Sequence, residues 1–589
     1  MEAAEEEAVC TFFDELQADH SRSDALQQLI LYFVSGTRFQ RRLDDFLRPR
    51  LRKGIPSLFR AMRSLYFQGG KAELVEELLL RYIGYLEQDV SSFGPRVGEE
   101  NGSPGPCDPG KEEPPTSLLF TLMITAYHFD FVGDTKRALQ YADRAMEHTP
   151  TLLELYTCKA RIYRHGGDLQ ESAKWFEEAR QMDLADRFLN TQCVRALLRV
   201  DDSKQGMEKA LMFSKEPDSP GAANLHDMQC MAYESCMGRS YRRQQNLGKA
   251  LKMHCETFRH FGDIAEDKFD FHNYCLRKTT LRAYVAMLRM QEKLYSHKFF
   301  RRAAKDAISI YLQLYDRKAR GEATADGGEG GEGKEADMSA AEKKKLKFKK
   351  QREAKKAGGG EKQPEKAASG AGGKVKKVDD DPDGLKLLEK DPMEEASKLV
   401  KTLVIYCDLD PTTHVITYDV FSRQGRLLHC LQALIRLWQL GSCDSLYYKL
   451  IAPLAHFCFV ADLEAEKTPS AVRSVILSEL APVLKADGAF ENVAALRTAA
   501  NGIVDAVEQR LKTTSDLPLI EVLYGLKCLK HAGRSTAEFL AGWSPTGAFA
   551  LKDCGKLLAY LGEEHGKDSA IWTRFKDRCL ESFPLMTFP

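Results

Sequence analysis

The stretch SLLFTLMITAYHFDFVGDTKRALQYADRAMEHTP (117–150) runs directly into TLLELYTCKARIYRHGGDLQESAKWFEEARQMDL (151–184), and the second half answers the first at a spacing of 34 residues. Ala126, Phe129, Gly133, Asp134 and Ala145 are matched by Ala160, Tyr163, Gly167, Asp168 and Ala179. Two helices that cross closely need a small residue at the crossing, which Ala126 and Ala160 supply. An aromatic follows one turn later in each half, and a glycine stands where the first helix should stop. In the second helix of the first pair Ala138, Tyr141, Ala142 and Ala145 keep helical spacing, and Pro150 closes the unit.

A period of this length with these residue types reads as tetratricopeptide helix pairs. One pair cannot bury its own apolar faces, so the expectation is an all-α solenoid of stacked pairs that extends in both directions. Working outward, the echo weakens through 188–213 and returns with Gly238, Tyr241 and Ala250, whose offsets match those of Ala126, Phe129 and Ala138. Residues 269–288 and 303–314 read as further helices, which gives repeats over 118–316. Residues 1–95 read as a helical segment continuous with the solenoid. Within it, Leu58, Met62 and Leu65 predict one helix over 55–67, started by Pro56 and ended by Gly69 and Gly70. A loop rich in Gly, Pro and Glu follows, at 96–117. Residues 317–383 are a charged, low-complexity linker that should be flexible, because few apolar residues leave nothing to build a core. Helical patterning resumes over 384–589, with amphipathic stretches at 396–404, 427–440, 471–484 and 520–529.

Composition sets bounds on function. Lys plus Arg and Asp plus Glu number 85 each, so no global field favours nucleic acid or membrane, and an electrostatic partner must meet a local patch. The longest apolar run, 450–461, contains Pro453 and His456 and is too short to span a bilayer, so no membrane association is expected. The amino terminus is acidic and lacks the features of a signal peptide. Fifteen cysteines are scattered singly without a C-x-x-C pair. That pattern suits free thiols in a reducing compartment, here the cytoplasm, rather than disulfides, and no metal site is expected.

The chemistry-bearing motifs of common enzymes are absent: no H-E-x-x-H, G-x-S-x-G or G-x-x-x-x-G-K-[ST] occurs. Residues 245–250 (QNLGKA) fit the Q/R-x-x-G-x-G/A pattern of acetyl-coenzyme A binding. That chemistry needs backbone N–H groups between a strand and a helix, and here Ala250 already serves as a helix-crossing residue of a repeat. No catalytic residue is expected. A basic cluster of Lys159, Arg161, Arg164, His165, Lys174 and Arg187 lies around the second repeat. It is either a solvated face or a pocket for a polyanion, since converging cations bind phosphates well. Cys158, Met182 and Cys230 read as core residues and Trp175 as a packing residue. The basic run 343–356, with Lys343, Lys344, Lys345, Lys347, Lys349, Lys350, Arg352, Lys355 and Lys356, suits a tethered arm that meets RNA phosphates without sequence preference.

Several tracts together resemble one family, the large auxiliary subunit of the N-terminal acetyltransferase A complex. They are RKGIPSLFRAMRSLY (52–66), KEEPPTSLL (111–119), HTPTLLELYTCKARIYRHGGDLQESAKWFEEARQMDLADRFLN (148–190), NLHDMQCM (224–231), FDFHNYCLRKTTLRAYV (269–285) and DMSAAEKKKLKFKKQREAKKA (337–357). The resemblance implies a non-catalytic scaffold that wraps and shapes an acetyltransferase catalytic subunit and directs it to nascent chains whose initiator methionine has been removed. It implies inositol hexakisphosphate held by the cluster from Lys159 to Arg187, with Gln192 standing where the family carries Lys, so that the set is one cation short. It also implies that the basic arm faces ribosomal RNA and that further regulatory subunits bind. The family's repeats extend ahead of the point near Phe39 where the similarity begins, so a shortened amino-terminal region is expected. The competing reading is a generic tetratricopeptide adaptor for ribosome or chaperone partners.

Overall fold

The computed structural model describes residues 3–98, 112–214, 223–267, 275, 277–321, 381–465, 468–543, 545 and 549–587. Among them every regular element is helical and no strand occurs. They group into two compact units. One holds Met1–Pro217, Ser445–Val460 and Phe490–Pro589, and the other holds Asp218–Asp444 and Ala461–Ala489.

After helices of Ala3–Asp19 and Asp24–Leu29, the first unit continues with α1 (Gly36–Lys53) and α2 (Lys71–Gln88). Phe39, Leu43, Phe46, Leu47 and Leu51 recur at helical spacing on α1 and are all buried, which fixes the face it turns to the core. Arg48 is buried on the same helix with its charge matched: it donates to Asp44 at 2.6 Å and to the carbonyls of Gly94 and Pro95 at 2.9 Å each. Arg52 grips the buried Glu113, with Nε 2.8 Å from Oε2. The residues just ahead of the expected loop and Glu113 near its end are therefore anchored to α1, and Phe93, three residues before the loop, is fully buried. Residues 99–111 of that loop lie outside the described residues. The single helix expected over 55–67 is instead an α-turn, Leu58–Met62, followed by a 3₁₀ turn, Arg63–Phe67. Tighter winding places Met62 and Leu65 over one another, both fully buried, and lets the Tyr66 hydroxyl reach Nδ1 of His128 at 2.8 Å.

The echoed stretch forms two helix pairs, α3 (Thr116–Val132) with α4 (Thr135–His148), and α5 (Leu153–Gly166) with α6 (Leu169–Met182). Gly133 and Gly167 end the first helix of each pair in left-handed backbone, at φ 94° and 99°. The aspartate that follows each glycine caps the next helix: Asp134 accepts from the Arg137 N–H and Asp168 from the Glu171 N–H, both at 2.9 Å. A third pair, α7 (Arg187–Arg199) and α8 (Ser203–Leu211), keeps the same period. Asp201 takes the left-handed place at φ 64° and Asp202 caps α8 by accepting from the Gln205 N–H at 3.0 Å.

The second unit holds α9 (Ala223–Asp227), α10 (Met231–Arg243), α11 (Leu247–Glu266), α12 (Leu281–Glu292) and α13 (Lys298–Ala319). After the charged segment come α14 (Pro392–Tyr406), α15 (Pro411–Arg423) and α16 (Leu427–Leu440). The acetyl-donor-like tract proves to be a turn between two helices. Gln245 sits at φ 63° and Asn246 caps α11 by accepting from the Lys249 N–H at 3.2 Å. Gly238 crosses so close to α11 that a Cβ there would lie 2.8 Å from Cε1 of His254. Arg423 on α15 holds Asp316 on α13 through two bonds of 2.8 and 2.9 Å. Helices from both sides of the charged segment thus belong to one packed body, and 322–380, with the basic arm, lie outside the described residues.

The first unit is completed by α17 (Tyr448–Ala455), α18 (Val493–Thr513), α19 (Leu519–His531), α20 (Leu551–His565) and α21 (Ala570–Ser582). Ile451, Val504, Leu526, Leu557 and Phe575 share one core there. The apolar run at 450–461 is α17 with a π-helical turn after it, its Leu450, Phe457 and Cys458 fully buried. Among the described residues no helix is long and apolar enough to cross a membrane. In the second unit, the amphipathic stretch expected over 471–484 stops sooner, in a helix of Ser470–Glu479.

Candidate functional site

The basic cluster is built on the end of α5. Cys158, Ala160 and Ile162 face the core, while Arg161 and Arg164, three residues apart, share another face of the helix. Arg164 is partly buried beside Arg161 and Arg199, and its pKa is pushed down to about 10, first by burial and then by the repulsion of those two guanidinium groups. Asp130 opposes the shift. His165 bridges the two signs. Arg164 can only donate, so its Nη2, 2.8 Å away, makes His165 Nε2 the acceptor, and Nδ1–H then donates to Asp130 at 2.8 Å. These two contacts suit the tautomer that carries its hydrogen on Nδ1.

The other sequence-identified cations are engaged elsewhere. Lys159 pairs with Asp143 at 2.6 Å and lies 4.1 Å from the ring centre of Trp175. Lys174 is exposed and paired with Glu171 on its own helix. The guanidinium of Arg187 stacks 5.7 Å from the ring centre of Phe213. The structure therefore brings Arg161, Arg164 and His165 together and adds Arg199 and Asp130, which the sequence reading did not include. Their signal is the repeat itself: Asp130 precedes His165, and Arg199 follows Arg164, by one period and one residue. Of the expected packing residues, Cys158 is fully buried and Trp175 is partly buried, whereas Met182 is 42% exposed and belongs to no core.

The turn that carries His165 is also a contact point within the first unit. Leu585 and Met586, near the chain's end, lie against Gly166 and Gly167. A Cβ on Gly167 would meet the Met586 Cα at 2.8 Å.

Stacked helix pairs that turn on left-handed residues define a helical-repeat protein. The family model for the auxiliary subunit of N-terminal acetyltransferase A matches residues 1–437, and the chain belongs to that family. The match includes the residues ahead of Phe39 that the similar tracts leave out. Among its relatives, the N-terminal acetyltransferase A complex auxiliary subunit NAA15 of Arabidopsis thaliana is 34% identical over 99% of this chain and 63% of its own length. The human N-alpha-acetyltransferase 16, NatA auxiliary subunit, is 37% identical over 76% of this chain and 50% of its own. A solved structure of Naa15/Naa10 bound to HypK-THB is similar with a TM-score of 0.62 and 26% identity, over 82% of this chain and 60% of that one. The chain spans about half to two thirds of the length of these relatives.

Proposed function

We propose that the chain is a non-catalytic scaffold that binds an acetyltransferase catalytic subunit and holds it in its active shape for co-translational N-terminal acetylation. The observation that carries this reading is the family match over 1–437, which covers the helix pairs of both units up to α16. The likeness to Naa15 in a structure that also contains Naa10 supports it. A scaffold of this kind acts by favouring one conformer of its partner, so its effect appears in the partner's turnover. Its substrates on this reading are chains that begin with Ser, Ala, Thr, Gly or Val after methionine removal, its setting is the cytoplasm, and a third component of the HypK kind binds beside the catalytic subunit. The basic arm at 343–356 meets ribosomal RNA.

Inositol hexakisphosphate fits the cluster in part. Arg161, Arg164 and Arg199 repel one another with Asp130 as a counter-charge, and a polyanion relieves that repulsion. Lys159 is largely covered by its own partners, and Lys174 is exposed and paired with Glu171. Affinity capture of the full chain from its own cell extract tests the central reading. Recovery of an acetyltransferase catalytic subunit in stoichiometric amount supports the scaffold. Recovery of ribosomal or chaperone partners without one supports the adaptor instead.

A further inference from the structure

The second unit contains a cluster for which the scaffold reading has no use. Glu234 on α10 is fully buried. Its Oε1 lies 2.8 Å from Nδ1 of His226 on α9 and 2.7 Å from Nε2 of His260 on α11. The other carboxylate oxygen accepts from the Thr257 hydroxyl at 3.0 Å. One donor atom from each of His226, Glu234 and His260 falls within 4.8 Å of the others.

The geometry points to a divalent-metal site of the zinc class, made by His226, Glu234 and His260, that fastens the short helix α9 to the α10–α11 pair. Two imidazoles and one carboxylate are a donor set that zinc accepts, with a fourth position left for water. Tetrahedral zinc with bonds of about 2.0–2.1 Å needs donors roughly 3.3 Å apart. The two N···O separations of 2.8 and 2.7 Å reach that value by a shift of about half an ångström. Thr257 supplies the hydrogen bond to the non-ligating oxygen that orients a metal-bound carboxylate.

His260 is closed off, while the His226 side chain is 11% exposed and marks the way in. Nothing in the sequence announced this cluster, because the cysteine pattern argued against zinc and the spacing of the three residues matches no metal motif.

The test uses the full chain, stripped with a chelator and titrated with Co²⁺ as a spectroscopic stand-in for Zn²⁺. A single equivalent should develop the visible bands of tetrahedral cobalt without the near-ultraviolet band of a cobalt–thiolate bond, and Zn²⁺ should then bleach them. Zn²⁺ should also raise the unfolding temperature. Glu234→Gln keeps the shape but loses the charge, and His226→Asn alters the most exposed member; each should weaken Zn²⁺ binding by more than about a hundredfold, beyond the cost of losing an outer-shell partner. A colourless titration of the unmodified chain, a thiolate band, or bands that survive both substitutions would overturn the proposal. The first two results need no variant to fold.

Discussion

Gly133 and Gly167 occupy the same place in successive repeats with nearly the same backbone, yet their surroundings differ. A Cβ on Gly133 would meet nothing within 4 Å, whereas one on Gly167 would meet the Met586 backbone at 2.8 Å. Gly133→Ala should therefore cost only the left-handed strain, about 1–2 kcal/mol. Gly167→Ala should cost more, because the tail must also move. Chemical denaturation of the two variants side by side measures the difference, and equal losses would remove the tail contact from the account. Arg164 supplies the second residue-scale test. Exchanging Arg164 and Lys174 for Glu should weaken inositol hexakisphosphate binding by at least about tenfold, the fold-change that roughly 1.4 kcal/mol of lost charge-assisted bonding produces. Unchanged calorimetry would return the cluster to a solvated basic face.

At the scale of elements, the three echoed helix pairs and the α10–α11 pair each turn on a left-handed residue followed by a capping side chain. Asp202 takes the capping part in the third pair, so Asp202→Ala should destabilise the chain by about 1 kcal/mol, read as a lower denaturation midpoint. That pair also marks the limit of what the residues alone disclose. The first two turns were legible because glycine announces left-handed backbone. The third keeps the period but uses Asp201, so the echo faded there where the geometry did not. The basic cluster was legible as composition but not as a site. Lys159 and Arg161 are two residues apart and so point to different sides of α5, one toward Asp143 and Trp175, the other toward Arg164. Arg199 reaches Arg164 only because neighbouring pairs stack. The helix expected at 55–67 broke for a tertiary reason, the demand of Tyr66 for His128. The arm is an element with its own test. Deleting 343–356 should reduce co-sedimentation with ribosomes and flatten its salt dependence while peptide acetylation by the complex stays intact. Unchanged sedimentation would leave the arm a spacer.

For the whole molecule, contact within each unit does not follow chain order. Helices α17 to α21 close a core in the unit that also holds the echoed repeats, and the charged segment interrupts a unit whose helices on both sides remain packed. Such units present fixed surfaces, which is what a scaffold needs in order to favour one conformer of a bound enzyme. The most direct measurement is the rate at which the separately purified catalytic subunit acetylates Ser- and Ala-starting peptides, with and without an equimolar amount of this chain. The account predicts a rise in kcat/KM of at least about tenfold, or roughly 1.4 kcal/mol of transition-state stabilisation gained from the scaffold alone, and no activity from the chain by itself. An unchanged rate in a complex that demonstrably forms would contradict it.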